Sequence, residues 1–178
     1  IRKLKSIRKH SDKVVAMGSC SHIGGVYHMK KYHSKEKIFN HVYNYREGIE
    51  NPDIKPIEKF VKVDYNLPGC PITAKEFFQF IYQLLIDKDP EILHNPVCYE
   101  CQSQGYECVL QQGEICLGPI TLGGCEAVCL KSGQGCWGCR GLVEDAEVSS
   151  LVKKLREKYS DKEIVKKFEV FGVKELIN

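Results

Sequence analysis

The sequence predicts an α/β fold: a parallel α/β layer, then a small irregular domain and C-terminal helices. Three observations predict it, namely short apolar runs of strand length, helical patterns between them, and a later stretch where Gly and Cys replace regular periodicity. The 178 residues are 43% hydrophobic, which is enough chain for a core. A net charge of +3 is too small to indicate a nucleic-acid partner. No run reaches the roughly 18 apolar residues of a membrane span.

The first half alternates helical and strand patterns. Residues 2–10 place apolar side chains on one helical face and basic ones on the rest. The apolar run at residues 14–17 predicts a buried strand, and the alternation at 60–65 predicts a second one. A helix is expected near residues 35–46, and the capping-box pattern Thr-Ala-Lys-Glu at residue 73 begins another that ends near residue 87. We expect the first 97 residues to form an ordinary core.

A cysteine follows each of the two predicted strands. Cys20 lies in Gly-Ser-Cys after the first strand, and Cys70 lies in Leu-Pro-Gly-Cys-Pro after the second. Ligands of open α/β sheets bind at the carboxyl ends of the strands, so we expect these two cysteines to share a site. The alternative is a pair of unrelated buried thiols, since free cysteine is often buried.

The composition changes after residue 93, and eight of the ten cysteines lie between Cys98 and Cys139. Too little apolar surface is visible there, so we expect cross-links or metal to hold that region together. Two amphipathic helices are then predicted over residues 147–171, where no chemistry is visible. The expected organisation is three parts, which are residues 1–93, 94–142 and 143–178.

The eight clustered cysteines divide by spacing into two quartets, each with a Cys-x2-Cys pair that places two thiolates on one metal edge. Disulfides, structural zinc and iron–sulfur clusters all explain such density. Disulfides are disfavoured because the first 97 residues hold only two cysteines. Zinc and clusters take the same four thiolates, but the glycines of the second quartet and the absence of histidine favour clusters. The quartets are Cys98, Cys101, Cys108 and Cys116, and Cys125, Cys129, Cys136 and Cys139.

Ten cysteines make two quartets and a remaining pair, Cys20 and Cys70, which needs two further ligands. The chain begins at Ile1 rather than Met, inside a helical pattern. We therefore expect an N-terminal segment to be missing.

Four motifs together resemble the small subunit of [NiFe] hydrogenases. The final motif narrows the resemblance to the cytosolic bidirectional branch, which includes the sulfhydrogenase delta subunits and relatives linked to NAD(P), deazaflavin or heterodisulfide reductase. The resemblance covers about residues 1–142. The motifs are Gly18-Ser19-Cys20 with Gly24-Gly25, Leu67-Pro68-Gly69-Cys70-Pro71, Cys116-Leu117-Gly118-Pro119, and Gly135-Cys136-Trp137-Gly138-Cys139-Arg140-Gly141.

The resemblance implies a flavodoxin-like N-terminal domain and three [4Fe-4S] clusters. It implies Cys20 and Cys70 as two ligands of the proximal cluster, whose first two ligands, a Cys-x-x-Cys, are absent here. It assigns the other eight by position, the medial cluster to Cys125, Cys129, Cys136 and Cys139, and the distal cluster to Cys98, Cys101, Cys108 and Cys116.

The function implied is electron transfer in the cytoplasm. A large subunit would hold the Ni-Fe centre, a flavoprotein or ferredoxin-like subunit would exchange electrons at the other end, and this chain would supply no catalytic residue. Two alternatives stay open, a zinc-stabilised interaction module without redox activity and a cluster relay of a quinone-reductase-like complex. The charged residues Glu100 and Arg140, beside the cysteines, are expected to be solvated.

Overall fold

The computed structural model describes residues 1–45, 47–48, 54–92 and 94–177. Short helices and two strands make up its regular structure. Its 3-10 helices span Gly25–Tyr32, Ile57–Lys59, Gly118–Ile120 and Lys174–Leu176. The strands are β1 (Val15–Met17) and β2 (Tyr65–Leu67), and the α-helices are α1 (Arg2–Lys9), α2 (Ser19–His22), α3 (Lys35–Val42), α4 (Ala74–Leu85), α5 (Val97–Ser103), α6 (Val128–Lys131), α7 (Val148–Arg156) and α8 (Asp161–Glu169).

The two strands pair in parallel, with Val15 opposite Tyr65 and Met17 opposite Leu67. This confirms the predicted α/β class with an irregular region after it. The first strand lies inside its predicted range, but the prediction of a strand over residues 60–65 is wrong, because β2 begins only at Tyr65. The residues before it form a helical turn, in which the Val61 N–H donates to the Ile57 carbonyl at 3.2 Å. A backbone group used in that turn is not available for a sheet.

The predicted helices are confirmed, with different ends. The Thr73 side chain accepts a hydrogen bond from the Glu76 N–H at 3.2 Å, which fixes the start of α4. A complete capping box between Ser160 and Glu163 begins α8. The helix predicted near residues 35–46 is α3, which ends at Val42, while residue 46 lies outside the described residues.

The core lies in the second half of the chain. The expectation that the first 97 residues form an ordinary core is wrong, since the described residues up to 92 bury only Ala16, Leu67 and Phe80 among apolar side chains. The expectation that the cysteine-rich region has too little apolar surface is also wrong, because α7 and α8 cover it. One core cluster joins that region to these helices and contains Leu117, Ile120, Val148, Leu151, Val152, Leu155, Ile164, Phe168 and Val173.

A second core cluster is built around the cysteines themselves. Free cysteine packs like a small apolar side chain, so these thiols contribute to the burial that they need. The cluster contains Val97, Cys101, Val109, Cys116, Ala127, Leu130 and Cys136. No helix within the described residues is long and apolar enough to cross a membrane.

Candidate metal centre

All ten cysteines are free thiols, and their exposure differs along the chain. Cys101, Cys116 and Cys136 are buried, whereas Cys20, Cys70 and Cys108 are exposed. No disulfide closes the cysteine-rich region, so the sulfur atoms remain available as ligands. The remaining four thiols, Cys98, Cys125, Cys129 and Cys139, are half-buried.

The first quartet gathers around α5. Cys98 and Cys101 lie one helical turn apart in α5, and Cys116 lies just before the turn at Gly118–Ile120. Burial raises the pKa of the Cys98 thiol, and Cys116 and Cys108 raise it further. The pKa of Cys101 is raised in the same way, by burial and then by the other three thiols. The four sulfur atoms are therefore near enough to act on one another electrostatically.

Backbone N–H groups point at the buried sulfur atoms. The Cys116 Sγ accepts from the Cys136 N–H at 3.2 Å and from the Gly118 N–H at 3.4 Å. The Gly138 N–H donates to the Cys136 Sγ at 3.5 Å. Burial raises the pKa of Cys136 to about 12, and the Gly138 N–H opposes that rise. Such donors favour the thiolate, which is the form that binds metal.

The second quartet is less regular than the first. Burial raises the pKa of Cys139 to about 11, and Cys125, Cys129 and Cys70 raise it further. Cys136 interacts with both Cys139 and Cys116, so it lies between the two quartets. Cys139 in turn lies between its own quartet and Cys70.

The two turns that carry Cys20 and Cys70 are joined directly. The Gly18 N–H donates to the Leu67 carbonyl at 2.7 Å, and the Ser19 N–H donates to the Gly69 carbonyl at 2.9 Å. A Cβ at Gly25 would lie 2.8 Å from the Cys20 Sγ, so only glycine leaves room beside that thiol. The turns meet at the sheet edge as the sequence predicts, while a site shared by the two cysteines stays a prediction.

Arg140 is buried, contrary to the expectation that it is solvated. Its side chain is 1% exposed and pairs with the Glu76 carboxylate of α4. It also donates to the Pro68 carbonyl at 2.7 Å and to the Gly123 carbonyl at 2.6 Å. Arg140 thus ties the turn before Cys70 to the loop before Cys125. No sequence pattern marks a buried arginine, because its partners come from distant segments.

The Glu100 carboxylate is also engaged, although solvation was expected. Its Oε1 accepts from the Gly124 N–H at 2.6 Å, and its Oε2 accepts from the Ala127 N–H at 3.3 Å. The Cys125 Sγ donates to the same carboxylate at 3.8 Å. After burial, Glu100 is the main cause that raises the pKa of Cys125. Glu100 therefore shapes the loop that presents the first cysteine of the second quartet.

Sequence patterns also did not mark Lys167, which lies in the tail where no chemistry was expected. This α8 side chain is buried, and its Nζ lies 3.3 Å from the centroid of the Trp137 ring. Only its spacing beside Ile164 and Phe168 could have marked it as inward-facing, and a lysine there is otherwise typical of a solvated helix face.

The donors present fit iron–sulfur clusters. Thiolate is the ligand that such clusters take, and N–H groups at the sulfur atoms are among the contacts that set their potentials. In the described part of the chain, no group of three or more His, Cys, Asp or Glu side chains is arranged to hold a single metal ion. Backbone donors at Cys116 and Cys136 and the burial of three thiols are the observations that support the fit.

The fold and the thiols together define an α/β protein with a cysteine-rich candidate metal region. Residues 1–84 match the family model described as NADH ubiquinone oxidoreductase, 20 Kd subunit. The sequence is 38% identical over 171 residues to sulfhydrogenase 2 subunit delta of Pyrococcus furiosus, a match that covers 95% of this chain and 71% of that protein. The chain belongs to this family of hydrogenase subunits.

A second relative is a subunit of the F420-non-reducing hydrogenase vhu of Methanocaldococcus jannaschii, at 32% identity over 172 residues. That match covers 79% of this chain and 59% of the relative, so the chain spans less than two thirds of it. Among solved structures, an NAD+-reducing [NiFe]-hydrogenase in the H2-reduced state matches 51% of this chain and 58% of that chain. The sequence identity there is 27% and the TM-score is 0.42.

Proposed function

We propose that this chain is the electron-transfer small subunit of a [NiFe] hydrogenase in the cytoplasm. It would relay electrons between the Ni-Fe centre of a large subunit and a flavoprotein or ferredoxin-like partner. The observation that carries the proposal is the set of ten free cysteines, eight of them in one region, in a chain of a hydrogenase-subunit family.

The ligand assignment follows the two quartets. Cys98, Cys101, Cys108 and Cys116 would hold the distal [4Fe-4S] cluster, and the mutual pKa effects of these thiols support that grouping. The second quartet would hold the medial cluster, and Cys20 with Cys70 would supply two ligands of a proximal one. When bound, the clusters supply one-electron transfer. The second quartet is Cys125, Cys129, Cys136 and Cys139.

The residues of the chain itself would bind, orient and shelter these groups. The N–H groups of Gly118, Cys136 and Gly138 would stabilise thiolate charge. The apolar side chains around Cys101 and Cys116 keep water from those sulfur atoms. Arg140 would hold the proximal ligand turn against the second quartet, since it binds the carbonyls on both sides.

Metal analysis of the anaerobically purified complex tests the proposal. We expect iron and acid-labile sulfide, broad absorption near 400 nm, and one EPR signal for each reduced cluster. Cys101→Ser should remove the iron of one cluster, about four atoms. Ser103→Ala, on the exposed side of the same helix, is the matched control and should keep all the iron. Colourless protein with two zinc atoms would instead establish a zinc-stabilised interaction module.

A second candidate is the cluster relay of a quinone-reductase-like complex, which the description of the matching family model favours. Iron analysis does not separate it from the first proposal, because both hold clusters. The partner does separate them. We expect a nickel-containing large subunit to co-purify with this chain, and a partner without nickel would support the second candidate.

A further inference from the structure

A buried lysine from the C-terminal helix reaches the cysteine-rich region. Lys167 lies on α8, and its Nζ donates to the Gly135 carbonyl at 3.3 Å while it sits over the Trp137 ring. Both partners flank Cys136. Two contacts on one short segment fix the ammonium group beside a cysteine of the second quartet.

The surroundings of this ammonium group contain thiols rather than a paired carboxylate. No Asp or Glu of the described residues lies within 4.0 Å of the Lys167 Nζ, although eight other cations of those residues each have one. Burial lowers the pKa of Lys167, and four groups oppose that change. In descending order they are Cys116, Cys136, Glu114 and Cys129.

A buried charge without a partner is costly, so its retention calls for a compensating charge nearby. Three of the four compensating groups are thiols of the two quartets. Four thiolates make a bound cluster negative, and reduction adds one more negative charge. A fixed cation near both quartets therefore stabilises the reduced form more than the oxidised form.

We propose that Lys167 raises the reduction potentials of the two clusters held by the quartets, an inference that rests on the proposed function. Lys167 is a positioning residue for charge and touches no electron-transfer partner. The C-terminal helices then do more than pack, since α8 supplies the cation that makes the two clusters easier to reduce. The Trp137 ring holds the ammonium group in place and is itself only 39% exposed.

The test is a redox titration of the purified hydrogenase complex, followed by EPR. In Lys167→Gln and Lys167→Met we expect the signals of both clusters to move to lower potentials. At the wild-type midpoint, the ratio of reduced to oxidised cluster should fall about tenfold, which is about 59 mV for a one-electron couple. Lys167→Arg keeps the charge and the aromatic contact and should restore the wild-type potentials.

Lys166→Gln is the matched control, because it removes the same charge from an exposed position one residue away. It should leave both potentials unchanged. The iron and sulfide content of each variant is measured first, and the titration uses whichever of the Gln and Met variants keeps the wild-type content.

Equal potentials in wild type and the neutral variant would overturn the inference, and so would an equal shift in Lys166→Gln. These results would leave the proposed function standing, because the clusters would still be present. Wild-type protein without iron and sulfide would overturn the proposed function instead.

Discussion

The two halves of the molecule bury apolar side chains to different extents. Of the 20 buried hydrophobic residues in the described chain, 3 lie before residue 93 and 17 after it. The large exposed hydrophobic residues show the opposite distribution, with 12 in the first half and 4 in the second. The half with two core clusters is the one that carries eight cysteines, so metal ligands and packing are built together.

The first half depends on contacts with the second for its position. Its sheet has two strands of three residues, and α1 buries no residue. Two-stranded structures of this size are marginal in water. The contacts that join the halves are largely polar, and Arg140 makes several of them. Substitutions at the boundary should therefore cost more than their surface position in the sequence suggests.

The largest effect is expected from Arg140→Met. The substitution leaves the Glu76 carboxylate and the Pro68 carbonyl without their buried partner. Breaking a buried ion pair by removing one side costs about 3–5 kcal/mol, so the free energy of unfolding should fall by that amount. Chemical denaturation of the purified chain measures it.

The control for this prediction is Arg156→Met, which removes an arginine that pairs with Asp161 at the surface. Exposed pairs contribute about 0–1 kcal/mol. Equal losses in the two variants would mean that Arg140 does not join the halves, and that the comparison between them rests on apolar packing alone.

The core of the second half is tested by Ile164→Ala. Ile164 is fully buried in the cluster that unites α7 and α8 with Leu117 and Ile120. Removing the side chain of a buried Ile costs about 2–5 kcal/mol. Leu85→Ala, at a position that is 79% exposed in the first half, should change the free energy of unfolding by less than about 0.5 kcal/mol. A large loss in the Leu85 variant would show that the first half has a core of its own.

Local patterns predicted the elements of this fold but not the contacts between them. The apolar run at Val15–Met17 and the capping box at Ser160 act over a few residues, so the sequence shows them. The cysteine spacing likewise indicated the quartets. The partners of Arg140 and Lys167 come from segments 17 to 72 residues away, and charged residues give no signal of burial without knowledge of those partners.

The second strand shows how an alternating pattern can mislead. Residues 60–63 alternate, but their backbone groups are used in a helical turn, and the strand begins only at Tyr65. Asp64 decides the register, because its N–H donates to the Val14 carbonyl at 2.8 Å and its carboxylate accepts from the Val14 N–H at 2.7 Å. Such pairing between distant segments is invisible to a local pattern.

A smaller effect is expected at Gly172, where the halves meet through a histidine. The His28 ring lies against Gly172 and Gly24, and a Cβ at either glycine would clash with it. Gly172 also has φ +78°, which disfavours a side chain. Gly172→Ala should cost about 1–3 kcal/mol. In the double variant with His28→Ala the clash disappears and only the backbone strain remains, so part of the loss should be recovered. No recovery would mean that the slot for His28 does not link the halves.

The smallest effect is expected at Asp64, within the first half. The Val14 N–H and the Arg8 guanidinium hold the pKa of the Asp64 carboxyl below its ordinary value of 3.8. A carboxyl whose pKa is lowered by folding adds stability that is fully present above the unfolded value and is lost as the pH falls through the folded value. Thermal unfolding should therefore show wild type more stable than Asp64→Asn near neutral pH, with the difference shrinking below about pH 4. Asp12→Asn, an exposed change of the same charge nearby, should show no such pH-dependent difference. If the Asp64 variant unfolds in parallel with wild type at every pH, the anchor between β1 and β2 adds nothing, and the first half relies wholly on its contacts with the second.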